Sequence, residues 1–228
     1  MLNIDSLSKG IANKIGIELN FDKDQVEVIA YGTFVFFQTL FSIIITIVFG
    51  FMFSVTKEAL IVSFIGSIFR KSSGGVHASS PGRCTTIGTA VCVGAGILVK
   101  FMLIQISSLN IIIILGILAF TWSYYITYKL APVDSSSKPI KKQENINRLK
   151  KKSIIILSVY LMIVLIILAI YVKTREKNLI TYILCIYAGM AWQVFTLTRK
   201  GHLVVHKIDI FLSNIFKFLR RYFHDKTK

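Results

Sequence analysis

The sequence predicts an all-α integral membrane protein of about six transmembrane helices, with an amphipathic interfacial helix at each end. Hydrophobic residues make up 54% of the 228 residues and the mean hydropathy is +0.66, whereas soluble domains are typically about 45–50% apolar. Long stretches that are almost free of charge could each hold two spans of about 20 residues. No shift in composition separates a second globular unit, so we expect one membrane domain over residues 1–228.

Hydrophobic periodicity divides this membrane domain into three parts. Residues 1–25 should form an N-terminal interfacial helix, because apolar residues recur at helical spacing between polar ones. Residues 26–198 should form the six-span bundle, with two spans in 28–69, two in 85–128, one in 153–172 and one in 178–198. Residues 199–228 should form an amphipathic tail that lies along the anionic inner leaflet.

The Lys and Arg residues predict how the chain is oriented. A formal charge of +16 would suggest a nucleic-acid partner in a soluble protein, but here the cations lie between hydrophobic runs, as topology-setting charges do. Most of the 27 Lys and Arg residues fall in segments 1–25, 70–84, 129–152 and 199–228. We therefore expect these segments and both termini to be cytoplasmic, and no nucleic-acid partner. Lys57 and Glu58 should lie near the outer interface, toward which Lys100 can extend.

The least regular part of the chain is the loop that joins the second and third predicted spans, with the sequence FRKSSGGVHASSPGRCTT. Gly74 and Gly75 permit backbone conformations closed to other residues, and Pro81-Gly82 is typical of a turn. Helix is therefore not expected between His77 and Cys84. A straight helix would separate these two residues by roughly 10 Å, whereas a folded loop could bring them within about 3 Å.

A histidine near a cysteine can support nucleophilic chemistry. The thiolate is the reactive form of cysteine, and a neighbouring imidazole can take its proton and later protonate a leaving amine. Cations at Arg70, Lys71 and Arg83 would favour the thiolate. A histidine and a cysteine seven residues apart also fit an ordinary membrane-surface loop, and this alternative stays open on spacing alone.

Other chemistry has less support in the sequence. Metal binding would need four ligands at a structural zinc site or three at a catalytic one, and nothing near His77 and Cys84 completes either set, so we expect no metal and no cofactor. Cys92 and Cys185 fall inside predicted spans and should be packing residues. Serine-hydrolase, zinc-protease and phosphate-loop motifs are absent.

Two stretches of the sequence resemble the accessory gene regulator B (AgrB) family of Gram-positive quorum sensing. They are RKSSGGVHA from Arg70, followed by Cys84, and APVDSSSKP from Ala131 to Pro139. The resemblance implies a membrane cysteine endopeptidase of the bacterial cytoplasmic membrane, with Cys84 as nucleophile and His77 as base. Its substrate would be an AgrD-type precursor peptide, whose C-terminal tail is removed while the new carbonyl stays on Cys84 as a thioester. Attack by an internal Cys or Ser of the peptide would close a thiolactone or lactone ring.

The resemblance also implies weaker roles for other residues. Arg70 would anchor the substrate or the loop, Gly74 and Gly75 would allow a sharp turn, and Lys138 and Pro139 would bind substrate or shape their loop. The basic loop 129–152 could attract the acidic tail of such precursors, although topology-setting charge explains it equally well. A homodimer is expected from the resemblance, with membrane lipids as further partners.

Three questions stay open at the level of sequence. Asp134 and Asp209 are the cytoplasmic acids that could orient His77, and a dyad without a carboxylate is the alternative. A non-enzymatic peptide exporter would use the 70–84 loop as a gate, but the predicted spans contain few polar residues and no paired acids. A membrane scaffold would pack helices through small residues such as Gly94-Ala95-Gly96.

Overall fold

A computed structural model of the chain describes residues 4–102, 108–134 and 143–226, and within them all regular structure is helical. The all-α prediction is confirmed. In chain order the helices are α1 (Ile4–Glu18), α2 (Lys23–Met52), α3 (Thr56–Ser73), α4 (Pro81–Ile97), α5 (Leu109–Leu130), α6 (Gln143–Thr174), α7 (Lys177–Phe195) and α8 (Arg199–Lys226). A π-helical turn, Leu98–Met102, extends α4.

Five helices in the described residues are long and apolar enough to cross a membrane, where the sequence predicted six spans. These are α2, α4 with its π-helical extension, α5, α6 and α7. Helix α3, which we predicted as the second span, is not among them. Its 18 residues include Lys57 and Glu58 near the start and Arg70 and Lys71 near the end, which leaves a short apolar centre.

The chain divides into two compact units, Met1–Ile45 and Thr46–Lys228, with the boundary inside α2. In the first unit, the side chain of Asp22 accepts from the Gln25 N–H, and the Gln25 side chain accepts from the Asp22 N–H. This reciprocal pair is a capping box that starts α2. The exposed apolar side chains on α1, such as Leu7 and Ile17, agree with the predicted interfacial helix. The single domain over 1–228 stays a prediction.

Helix α7 is the central helix of the second unit and packs against α3, α5 and α6. Ile183 and Met190 on α7 are fully buried, as is Phe69 on α3. The Tyr160 hydroxyl on α6 donates to the Ile65 carbonyl of α3 at 2.8 Å. Helices α5 and α6 instead expose many large apolar side chains, which is the arrangement that lipid favours.

The two ends of α3 mark the two ends of this bundle. At the start of α3, the Lys100 ammonium donates to the carbonyl of Ser54, so Lys100 reaches the end that also contains Lys57 and Glu58. At the other end, the residues that follow Ser73 meet the C-terminal part of α7 and helix α8. That second end contains the loop on which the sequence analysis placed the candidate chemistry.

Candidate functional site

Helix α3 ends at two glycines that both have positive φ. Gly74 has φ +70° and Gly75 has φ +127°, backbone conformations that favour glycine. The Gly74 N–H donates to the Arg70 carbonyl at 3.0 Å and closes the last turn. A Cβ at Gly74 would lie 2.0 Å from the backbone oxygen of Val133. Gly74 is therefore needed both for the turn and for the close approach of a second backbone.

The described start of the second sequence motif, residues 131–134, lies beside the first motif. The Val133 N–H donates to the Ser73 carbonyl at 2.9 Å, and Gly74 and Val133 form an isolated parallel β-bridge. The start of the segment that follows α5 is thus attached to the end of α3. Lys138 and Pro139, which the sequence analysis also assigned to the site, lie outside the described residues.

Arg70 holds the backbone of the loop. Its guanidinium donates to the carbonyl of Gly75 at 3.4 Å, to the carbonyl of Val76, and to Oε1 of Gln193 at 3.5 Å. Burial lowers the pKa of the Arg70 guanidinium, and the electrostatic interaction with Cys84 acts on that pKa in the opposite direction. Arginine stays protonated in proteins, so the group is a fixed cation under the loop.

Gln193 is a site residue that the sequence analysis did not single out. Its side chain is buried, with 2% of the residue exposed, and Nε2 donates to the Gly74 carbonyl at 2.7 Å and to the Ser73 hydroxyl at 3.2 Å. Three residues later, the Thr196 carbonyl accepts from the Val76 N–H at 3.3 Å. The only signal in the sequence was a lone amide near the end of an apolar helix, which often marks a function.

Cys84 lies in the first turn of α4, so the prediction of no helix between His77 and Cys84 is wrong from Pro81 onward. Ser80 caps this helix through its hydroxyl, which accepts from the Arg83 N–H at 3.5 Å, and Pro81 occupies the first turn. The Cys84 N–H donates to the Ser80 carbonyl at 2.9 Å. Proline is favoured at the first helical position because its missing N–H needs no partner there. The partial positive charge of a helix N-terminus favours an anion in this turn.

His77 lies in the extended part of the loop, between the glycine turn and the cap of α4. Its side chain keeps solvent-accessible surface, yet the surrounding protein atoms and then the Arg70 cation lower its pKa to about 4. The imidazole is therefore neutral near pH 7, which is the form that can accept a proton. Within the part of the chain that the structure describes, Arg70 interacts electrostatically with both His77 and Cys84.

Asp209 from α8 joins the site at the segment between His77 and Cys84. Its Oδ2 accepts from the N–H of Ser79 at 3.2 Å and from the Ser79 hydroxyl, and its Oδ1 accepts from Arg83 Nε at 2.5 Å. Burial alone would raise the pKa of Asp209, but the bonds from Ser79 and Arg83 and the Arg83 charge hold that pKa below its ordinary value. Asp209 thus holds the loop through Ser79 and Arg83.

The sequence analysis also considered two further cysteines and Asp134. Cys185 is buried on α7, Cys92 is half-buried on α4, and all three cysteines are free thiols. Asp134 is exposed, one residue beyond the bridge at Val133. Among the described residues, no group of three or more His, Cys, Asp or Glu side chains could hold a metal ion.

Comparison with known proteins gives two kinds of match. The chain matches the family described as Accessory gene regulator B over residues 8–197. It is 39% identical to an AgrB-like protein of Clostridium perfringens strain SM101 and 38% identical to AgrB-like protein 2 of strain 13 of that species. Each alignment covers 212 residues, which is 93% of this chain and 99% of the relative. No solved structure matches.

Proposed function

This chain belongs to the accessory gene regulator B family, and on that basis we propose that it is a membrane cysteine endopeptidase with Cys84 as nucleophile and His77 as general base. As a family member it is a multi-pass membrane protein that takes part in processing an AgrD-type quorum-sensing peptide. The observation that carries the proposal is the Arg70 cation, which interacts with both Cys84 and His77 while it holds the loop backbone.

The first half of the reaction uses the neutral imidazole. His77 accepts the proton of the Cys84 thiol, and the thiolate attacks the carbonyl carbon of the scissile peptide bond. The tetrahedral intermediate collapses with loss of the amine of the C-terminal tail, which takes its proton from the His77 imidazolium. The shortened peptide remains on Cys84 as a thioester. Arg70 and the first turn of α4 favour the negative charge on sulfur.

The second half of the reaction regenerates the enzyme. An internal thiol or hydroxyl of the peptide loses its proton to His77 and attacks the thioester carbonyl. The bond to Cys84 breaks, the ring closes as a thiolactone or lactone, and the Cys84 sulfur leaves and recovers a proton. Exchange of one thioester for another retains the bond energy that hydrolysis would lose, so the site favours transfer wherever water is excluded.

The proposed orientation is supported by the end of the bundle at which the site lies. The 70–84 loop, the start of the 129–152 segment and α8 are in contact at one end of the second unit, and these are three of the four segments that the charge distribution assigned to the cytoplasm. We place this end and both termini on the cytoplasmic side. The proposal includes a homodimer and substrate contacts from Lys138 and Pro139.

The test is processing of the precursor peptide by lipid-reconstituted protein. Wild type should release the C-terminal tail and a cyclic product. By mass spectrometry, this product should be one water lighter than the linear peptide that hydrolysis would give. Cys84→Ala and His77→Ala should abolish both products, whereas Cys185→Ala, which removes a buried thiol on α7, should process the precursor at close to the wild-type rate. Undiminished processing by Cys84→Ala would overturn the endopeptidase assignment and favour an exporter or scaffold.

A further inference from the structure

Helix α8 contributes Asp209 to the site from its buried face, and its exposed apolar side chains lie elsewhere on the helix. Gly201, Val205 and Asp209 recur every four residues and are buried, and α8 packs against α4. The remaining surface of the helix exposes large apolar side chains, including Leu203 and Phe211. One stripe of α8 is thus committed to the protein and the rest is available to the membrane surface.

A buried carboxylate on that stripe needs partners, since an unpaired buried charge is strongly destabilising. Asp209 is 4% exposed and both its oxygens have donors. Oδ2 accepts two bonds from Ser79, and Oδ1 accepts one from Arg83 at 2.5 Å. The side chains of this ion pair are 5% exposed for Asp209 and 20% for Arg83. This pair is therefore shielded from the solvent screening that weakens surface pairs.

Ser79 and Arg83, the two partners of Asp209, lie close in sequence to the two proposed reacting residues. Ser79 is two residues after His77, and Arg83 is one residue before Cys84. One carboxylate therefore connects the two ends of the segment that separates the proposed base from the proposed nucleophile. We propose that Asp209 is a positioning residue that fixes this segment, so that α8 is part of the catalytic machinery and more than a membrane anchor. The inference rests on the proposed function of His77 and Cys84.

The match to the family covers residues 8–197, so Asp209 lies beyond it. Misplacement of reacting groups by about 1 Å can cost about 100-fold in rate. Loss of the Asp209 charge should therefore act on the chemical step. Substrate binding should change little, because neither Ser79 nor Asp209 is among the residues proposed to contact the precursor.

The experiment measures kcat and KM for precursor processing by the full-length protein in anionic lipid nanodiscs. Asp209→Asn should lower kcat about 10- to 100-fold and leave KM within about threefold of wild type. Lys207→Gln, an exposed position on the same helix that also changes the charge by one, should retain wild-type kcat. Ser79→Ala should lower kcat about threefold to tenfold, because it removes one of the three bonds and leaves the carboxylate paired with Arg83.

The outcomes separate this inference from the proposed function. If the separate variant Cys84→Ala abolishes processing while Asp209→Asn and Ser79→Ala keep wild-type kcat, the role of α8 is refuted and the endopeptidase assignment stands. Processing that survives Cys84→Ala would refute both. If Asp209→Asn does not yield folded protein, Ser79→Ala decides the question, since it removes a bond to the carboxylate and leaves the Arg83 charge beside Cys84 in place. Wild-type kcat in Ser79→Ala would then overturn the inference.

Discussion

Replacement of Gln193 by leucine should sharply reduce precursor processing without touching either proposed reacting group. The amide donates to the Gly74 carbonyl and the Ser73 hydroxyl and accepts from Arg70. Leucine has a similar volume but can make none of these bonds, so the half-buried Gly74 carbonyl loses a donor and the half-buried Arg70 cation loses one of its acceptors. An unsatisfied buried group costs about 1–3 kcal/mol.

Loss of both partners, one of which makes a long bond of 3.5 Å, should destabilise the ordered conformation of the loop by about 2–4 kcal/mol. If that loop must be ordered for the reaction, kcat/KM falls about 30- to 900-fold, because each 1.36 kcal/mol is about tenfold in rate. Gln193→Glu keeps an acceptor for Arg70 but turns an oxygen toward the Gly74 carbonyl. It should therefore also lose activity, even though it creates an ion pair.

The assay is precursor processing by reconstituted protein, with thermal unfolding measured on the same samples. The matched control is Gln143→Leu, an exposed amide at the start of α6 that donates to Asn147 at 3.4 Å, and it should process at the wild-type rate. A Gln193→Leu variant within threefold of wild type would refute the argument that α7 holds the loop in its reactive form.

Two further predictions concern the glycine turn and the state of His77. Gly74→Ala should reduce processing more than tenfold, because a residue with a side chain in this positive-φ conformation costs about 1–3 kcal/mol and the new Cβ meets the Val133 backbone. The control is Gly88→Ala, which should process at the wild-type rate because nothing lies within 4 Å of its new Cβ. Equal activity of the two variants would contradict the close approach of Val133 to Gly74. The His77 pKa of about 4 predicts that kcat/KM stays level from about pH 7 to about pH 5 and falls below that as the imidazole gains a proton and can no longer accept one. A pH–rate profile with an inflection near 6.5, the ordinary value for histidine, would contradict the lowered pKa.

Much of the fold could be predicted because it depends on local patterns. Runs of apolar residues of spanning length predicted the helices, and paired glycines predicted a break after α3. The end of that break was harder to place, because Pro81-Gly82 suits both a turn and a helix start. Ser80 before Pro81 was the deciding signal, since a capping hydroxyl followed by proline is typical of a helix N-terminus.

The contacts that assemble the site could not be predicted in the same way. Gln193 and Asp209 lie more than 100 residues after the loop they hold, and no local pattern in one sequence specifies such a pairing. Asp209 was considered as a partner of His77 because it is an acid near the predicted cytoplasmic face. Its partners are Ser79 and Arg83 because a buried carboxylate is satisfied by whichever donors lie within reach.

The dispersal of the site along the chain has a consequence for synthesis. His77 and Cys84 leave the ribosome early, but the side chain of Gln193 and the carbonyl of Thr196, which hold their loop, are added more than 100 residues later. At about 5–20 residues per second, the interval is roughly 5–20 s. During that time a nascent chain carries the proposed nucleophile without the contacts that order it. In the proposed endopeptidase, proteolysis would therefore begin only after Gln193 and Thr196, the residues that order the loop, have been translated.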